Sequence, residues 1–154
     1  MIEGTAAALD RLQLEYVDLS YCHRPDRSTP IEETVRAMNY LINSGKAFYW
    51  GTSEWNAEEI AIAHQIADRL GLIGPLMEQP HYNLLHRKTV EKDYMMLYKH
   101  YGLGLTTFSP LQTGILTGRY SNEIPPDSHY SQPGVTYTHA LLDNKGDEWV
   151  KGVA

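Results

Sequence analysis

Cysteine is nearly missing from this chain of 154 residues, with Cys22 standing alone. A single thiol excludes an intrachain disulfide framework and a cysteine-based metal site, and it suits a reducing, cytoplasmic setting. Positive charge is also scarce: 13 Lys and Arg face 19 Asp and Glu, for a net charge of −6 and a pI near 5.6. Nonspecific binding to nucleic acid or to a membrane surface needs a concentrated positive field, so neither is expected. A local cationic pocket for one phosphorylated ligand remains compatible with that balance. No apolar run approaches the roughly eighteen residues of a membrane span, and Met1-Ile2-Glu3-Gly4 has neither the basic segment nor the apolar run of a signal peptide. His81 and His86 are five apart, and His100, His129 and His139 are scattered among non-ligands, so no metal site is expected. No Gly-x-Gly-x-x-Gly motif is present, which argues against a dinucleotide fingerprint of the doubly wound kind.

What the chain does have is a repeat of strand then helix, at intervals of roughly 30 residues. Strands are expected at about 15–21, 46–51, 75–79 and 103–108. Each ends on chemically useful residues: His23, then Thr52-Ser53, then Gln79, then Phe108-Ser109-Pro110. Helices are expected over 2–13, from Thr29-Pro30 to Ser44-Gly45, from an Asn56 cap to Leu70 with Gly71 closing it, and from Thr89 to about Tyr101-Gly102. Tyr94, Tyr98 and Tyr101 fit the surface and core edge of that last helix. A long irregular stretch, 109–137, follows, and 138–151 reads as helical again. Strands of this type need a parallel sheet covered by helices. A doubly wound sheet and a (β/α)8 barrel both satisfy that, and polar residues after consecutive strands favour the barrel. A complete barrel needs about 250 residues, so only part of one is expected, as a single domain over 1–154.

Several motifs together resemble the aldo-keto reductase family, in particular the branch that holds the β subunits of voltage-gated potassium channels. They are Ala8-Leu9-Asp10-Arg11-Leu12-Gln13-Leu14-Glu15-Tyr16-Val17-Asp18, Arg24-Pro25-Asp26, and Thr29-Pro30-Ile31-Glu32-Glu33-Thr34-Val35-Arg36-Ala37-Met38. Tyr49-Trp50-Gly51-Thr52-Ser53, Glu78-Gln79, Ser109-Pro110-Leu111, and Gly114 to Tyr120 continue the likeness, which ends near Ile124-Pro125-Pro126. The resemblance implies barrel strands four to seven. The family's catalytic Asp, Tyr and Lys, and its grip on the adenosine 2′-phosphate, have no counterpart in these motifs.

By the same resemblance His23 orients a substrate carbonyl, a task an imidazole can perform because it donates a hydrogen bond or carries a proton near neutral pH. A loop histidine bonded to backbone is the plain alternative. Ser53 and Gln79 resemble the pair that binds the nicotinamide carboxamide, whose donor and acceptor a hydroxyl and an amide can match. Two satisfied polar residues at strand ends would look alike. Phe108 stands where the family stacks a Tyr or Trp on the nicotinamide ring; as an isolated residue it would read as core. Ser109, Pro110, Leu111, Gln112, Thr113, Gly114 and Leu116 resemble the loop around the cofactor pyrophosphate, with Arg119 forking onto phosphate oxygens. Glu54 departs from the arginine or asparagine found in relatives, and Asp127 and His129 replace a Tyr and an Arg, so none of these is included in the site.

Two functions are implied. One is carbonyl reduction with NADP(H) on a small carbonyl substrate, expected for the complete barrel and lost in this portion alone. The other is a cytoplasmic β subunit of a voltage-gated potassium channel, a tetramer bound to the channel's α subunit. Unpaired sheet edges and an uncovered inner face further imply association with another copy.

Overall fold

The helix between the second and third strands has its two ends written in the sequence. Asn56 accepts from the backbone N–H of Glu59 while the Glu59 carboxylate accepts from the N–H of Asn56, and Gly71 closes the helix in the left-handed conformation at φ 64°. The reciprocal cap satisfies two of the N–H groups that every helix start leaves unpaired. The computed structural model describes residues 1–120, 125–128 and 131–132. The helix expected over 138–151 lies outside the described residues.

Those residues divide into two units, one formed by Met1–His81 with Arg87–Phe108 and the other by Tyr82–His86 with the chain from Ser109 onward. The first unit runs α1 (Ile2–Leu12), β1 (Val17–Cys22), α2 (Ile31–Asn43), β2 (Ala47–Ser53), α3 (Ala57–Leu70), β3 (Met77–Gln79), a π-helical turn over Thr89–Asp93, α4 (Met95–Tyr101) and β4 (Gly104–Leu105). The four strands are parallel, and their order in the sheet is their order in the chain. A doubly wound sheet reverses direction at a switch point, whereas a β/α barrel adds each strand beside the last. The observed order is that of consecutive barrel units.

Between sheet and helices lies the core. Trp50, Val35, Ile60, Ala63 and Ala67 are wholly buried there, with Met38, Leu41, Tyr94 and Leu97 nearly so. The Trp50 indole N–H donates to the carbonyl of Ile73 at 2.8 Å, and buried Asn39 fixes the same residue twice, to its N–H at 2.8 Å and its C=O at 2.9 Å. Those bonds set the turn that delivers β3.

On the opposite face, strand alternation brings Tyr21, Gly51 and Met77 into one row. The Tyr21 hydroxyl lies 2.8 Å from the Met77 sulfur and 2.9 Å from the Thr106 hydroxyl, so its ring spans two neighbouring strands. Gly51 makes that crossing possible: a Cβ there would sit 2.6 Å from the Met77 carbonyl oxygen and 2.9 Å from the Tyr21 ring.

Several element boundaries differ from the sequence expectation. Thr29 does not cap α2: its hydroxyl donates to the Asp26 carboxylate at 2.7 Å, and Pro30 occupies the cap position. The third strand begins at Met77 and not at 75, where Pro75 has no N–H for a ladder. The fourth is two residues long, because Pro80 on its neighbour cannot return a bond; pairing resumes as one isolated bridge between His81 and Phe108. The helix from Thr89 opens as a π turn, and Tyr94 after it turns inward to 1% exposure instead of lying at the core edge. A wide turn re-aims the residues that follow it.

Candidate functional site

His23, Ser53, Gln79 and Phe108 all stand at the carboxyl ends of the strands, and parallel pairing explains their alignment. Ser53 and Gln79 are direct register partners, one row above Gly51 and Met77, on the same alternate face. Ser53 is buried, and its hydroxyl donates to the Gln79 carbonyl at 3.0 Å. His23 follows β1 as an exposed residue at the same rim, and its backbone carbonyl accepts from Arg24. Phe108 stacks on His81 with ring centroids 5.0 Å apart and planes 19° from parallel. Its backbone N–H donates to the Pro80 carbonyl, which ties the ring to the end of β3.

Two residues of this rim were not anticipated. The Arg24 guanidinium donates to the Ser53 hydroxyl at 2.9 Å and stands over the Phe108 ring, 5.8 Å from its centroid. Its place directly after His23, within the Arg24-Pro25-Asp26 motif, was the signal available. Glu54, set aside as a departure, turns back at φ 57°, and its carboxylate accepts from the His81 N–H at 2.6 Å. It thereby steadies the residue that stacks on Phe108.

Behind the rim, Glu78 is wholly buried on the helix side of β3. One carboxyl oxygen accepts from the Thr52 hydroxyl, and the backbone N–H groups of Glu54 and Trp55 lie against the carboxyl. Burial pushes the carboxyl up to about 7, against weaker opposition from Thr52 and the backbone N–H groups of Glu54 and Trp55. The Tyr94 hydroxyl closes the same cluster by donating to the Trp55 carbonyl.

A cavity of about 440 Å³ opens beside β1, lined by Met1, Cys22, His23, Arg24, Thr34 and Met38 among others. It shares His23 and Arg24 with the rim. Burial raises the Cys22 thiol to about 12, so it is a neutral packing group. Asp26 at the cavity mouth is held down to about 2 by the Ser28 and Thr29 hydroxyls and the Ser28 N–H.

The second unit holds the Ser109–Arg119 loop. Ser109, Gln112 and Thr113 have positive φ, joined by Gly114 at 102° and Gly118 at 74°. Left-handed backbone on non-glycine residues is costly and persists only where surroundings impose it. Here Asn83 imposes it, donating to the Ser109 carbonyl at 2.9 Å and to the Gln112 side chain at 2.8 Å. The side chain of buried Gln112 is therefore directed inward. Gly114 packs against Tyr120, where a Cβ would lie 3.1 Å from the ring. Pro110 and Leu111 are exposed and Leu116 half-buried. Arg119 pairs with Asp127 at 3.0 Å, with both side chains largely in solvent. An exposed pair of this kind contributes about 0–1 kcal/mol.

The strand-end Ser53 and Gln79 with the Phe108 ring belong to the first unit, and the strained glycine loop with its arginine belongs to the second. The aldo/keto reductase family model matches residues 2–150. The chain belongs to that family. As an aldo/keto reductase family member it is 58% identical over 132 residues to a probable voltage-gated potassium channel subunit beta of Arabidopsis thaliana, covering 85% of this chain and 40% of that protein. A rice protein of the same description is 56% identical over 132 residues, covering 85% and 40%. A putative voltage-gated potassium channel subunit beta of Schizosaccharomyces pombe is 55% identical over 131 residues, covering 85% and 38%. The chain thus spans about two-fifths of the length of these relatives. Among the described residues no cluster of metal-ligating side chains occurs, and no helix is long and apolar enough to cross a membrane.

Proposed function

We propose that this chain carries the nicotinamide- and pyrophosphate-binding part of an NADP(H)-dependent aldo/keto reductase. The observation that carries the reading is the direct pairing of Ser53 with Gln79 beside the stacked Phe108 ring. When bound, the cofactor supplies hydride to a carbonyl; the protein supplies binding and orientation. Ser53 and Gln79 hold the carboxamide, Phe108 stacks on the ring, backbone of Ser109–Gly114 with Leu116 surrounds the pyrophosphate, and Arg119 exchanges Asp127 for phosphate. His23 donates to the carbonyl oxygen of a small aldehyde or ketone. The tyrosine acid and lysine of related enzymes have no counterpart in these residues. Alone, the 154-residue chain is therefore expected to bind NADPH without consuming it.

Fluorescence titration with NADPH tests the reading. Ser53→Ala is expected to weaken binding roughly fivefold, the loss of one neutral hydrogen bond of about 1 kcal/mol. Arg119→Ala is expected to weaken it roughly tenfold or more, because its bond is charge-assisted. Equal affinity in both variants and the native chain would reject the assignment. Steady NADPH consumption with an aromatic aldehyde, abolished by His23→Ala, would reject the expected lack of turnover.

A second reading is motivated by the likeness to the plant and fission-yeast channel β subunits: a cytoplasmic accessory subunit of a voltage-gated potassium channel, working as a tetramer on the channel's α subunit. Capture of an α subunit's cytoplasmic domain by the chain would support it, and failure to capture one would count against it. Self-association is supported by the exposed Tyr16, Phe48 and Tyr49 at the sheet, and a strictly monomeric mass by light scattering would remove it.

A further inference from the structure

Arg24 occupies the features that the cofactor reading assigns to nicotinamide. Its Nη1 donates to two oxygens, the His23 carbonyl at 2.7 Å and the Ser53 hydroxyl at 2.9 Å. Its guanidinium carbon lies over the Phe108 ring at 5.8 Å from the centroid. No carboxylate pairs with it among the described residues. An exposed arginine with no acidic partner would ordinarily extend into water. This one instead folds back over the rim, drawn by a carbonyl and a hydroxyl acceptor and an aromatic face.

A serine hydroxyl has one hydrogen to give and two lone pairs to offer. The Ser53 hydrogen goes to the Gln79 carbonyl and one lone pair receives Arg24. An arriving carboxamide must recruit that same hydroxyl, and its ring must lie along Phe108, already flanked by His81 and Arg24. Cofactor and Arg24 compete.

We propose that Arg24 is a latch on the nicotinamide site, released when the cofactor displaces its guanidinium from Ser53 and Phe108. The inference rests on the NADP(H) reading above. The latch is local: the Arg24 backbone stays where β1 ends, and the side chain alone swings, which exposed rotamers do readily. Its contacts are individually weak, a cation–π contact at 5.8 Å and a single part-buried hydrogen bond to a neutral hydroxyl, so its hold is modest. That suits a gate that lowers affinity without abolishing binding.

Removing the latch is expected to tighten NADPH binding. Arg24→Met retains the aliphatic stem and loses the guanidinium; titration of the chain with NADPH is expected to show affinity roughly three- to tenfold higher. Arg24→Gln, with no charge and a different shape, is expected to move in the same direction. In the Ser53→Ala background the gain from Arg24→Met is expected to shrink, because one of the released contacts is already absent. Binding that is unchanged or weakened by both Arg24 substitutions would overturn the latch and leave the cofactor reading standing. Absence of NADPH binding in every variant, with native circular dichroism, would overturn both.

Discussion

Replacing Gly51 with valine is expected to destabilise the chain by roughly 3 kcal/mol, the upper part of the range for overpacking a filled interior. The reason is where the new atom would go. A Cβ at this position would lie 2.6 Å from the Met77 carbonyl oxygen, a backbone atom that cannot rotate away. It would also press on the Tyr21 ring and the Met77 side chain, both at 2.9 Å. Because Gly51 pairs with Tyr21 on one side and Met77 on the other, β2 cannot yield without loosening both ladders. The valine branches then add further collisions. For a small domain held by about 5–15 kcal/mol, that loss is a large share. Urea unfolding at constant slope should register it as a lower midpoint. The contrasting substitution is Gly4→Ala, where a Cβ meets nothing within 4 Å on a helix, and where stability should hold or rise by up to about 1 kcal/mol. A Gly51→Val chain as stable as the native one would refute the packing described for Tyr21.

Stability is also expected to fall as pH rises from about 5 to 8, and Glu78 is the cause. Its carboxyl is raised from 4.5 to about 7 in the folded chain by burial. Below 4.5 the group holds its proton in both states and makes no difference; between 4.5 and about 7 only the folded chain keeps it, so each step up in pH favours unfolding. At about 1.4 kcal/mol per pH unit, the interval corresponds to roughly 3 kcal/mol of lost stability by pH 8. The groups around it sharpen the assignment: Thr52, Glu54, Trp55 and Tyr94 face the carboxyl, and the Glu54 charge also pushes the value up. Glu78→Gln keeps the acceptor for Thr52 and removes the titration. Its unfolding free energy should lack this fall, keeping only the rise that half-buried His64 contributes because burial lowers its pKa, and at pH 8 it should exceed that of the native chain. A native profile that rises or stays level between pH 5 and 8 would sink the prediction.

The fold was legible where its causes are local. The Asn56 cap with Glu59 and the left-handed Gly71 are decided within one helix, and both stand where the sequence puts them. The order of strand and helix was legible for the same reason, since alternation and apolar periodicity are short-range patterns. What the sequence concealed was settled by neighbours far along the chain. Thr29 reads as a cap until Asp26 takes its hydroxyl. Tyr94 reads as peripheral until a π turn and the Trp55 carbonyl bring it inside. Nothing near Glu78 in sequence announces that its carboxyl is sealed between sheet and helices. The candidate site divides in the same way. The strand-end positions of His23, Ser53, Gln79 and Phe108 follow from the β/α rhythm, and the register of β2 with β3 makes Ser53 and Gln79 partners. Arg24 stood in a motif, but its contacts were hidden, because they depend on the flexible reach of one side chain towards residues 29 and 84 positions away.

The central claim is that NADP(H) binds at the strand ends through Ser53, Gln79 and Phe108, and along the Ser109–Gly114 loop. The most direct test is amide NMR of the uniformly labelled chain during titration with NADPH. The account predicts saturable shifts concentrated at Ser53, Gln79, Phe108 and Ser109–Gly114, with the Arg24 side-chain resonance moving in step. Shifts confined to other surfaces, such as the exposed Met95 and Met96 of α4, or no shifts at saturating NADPH, would contradict it.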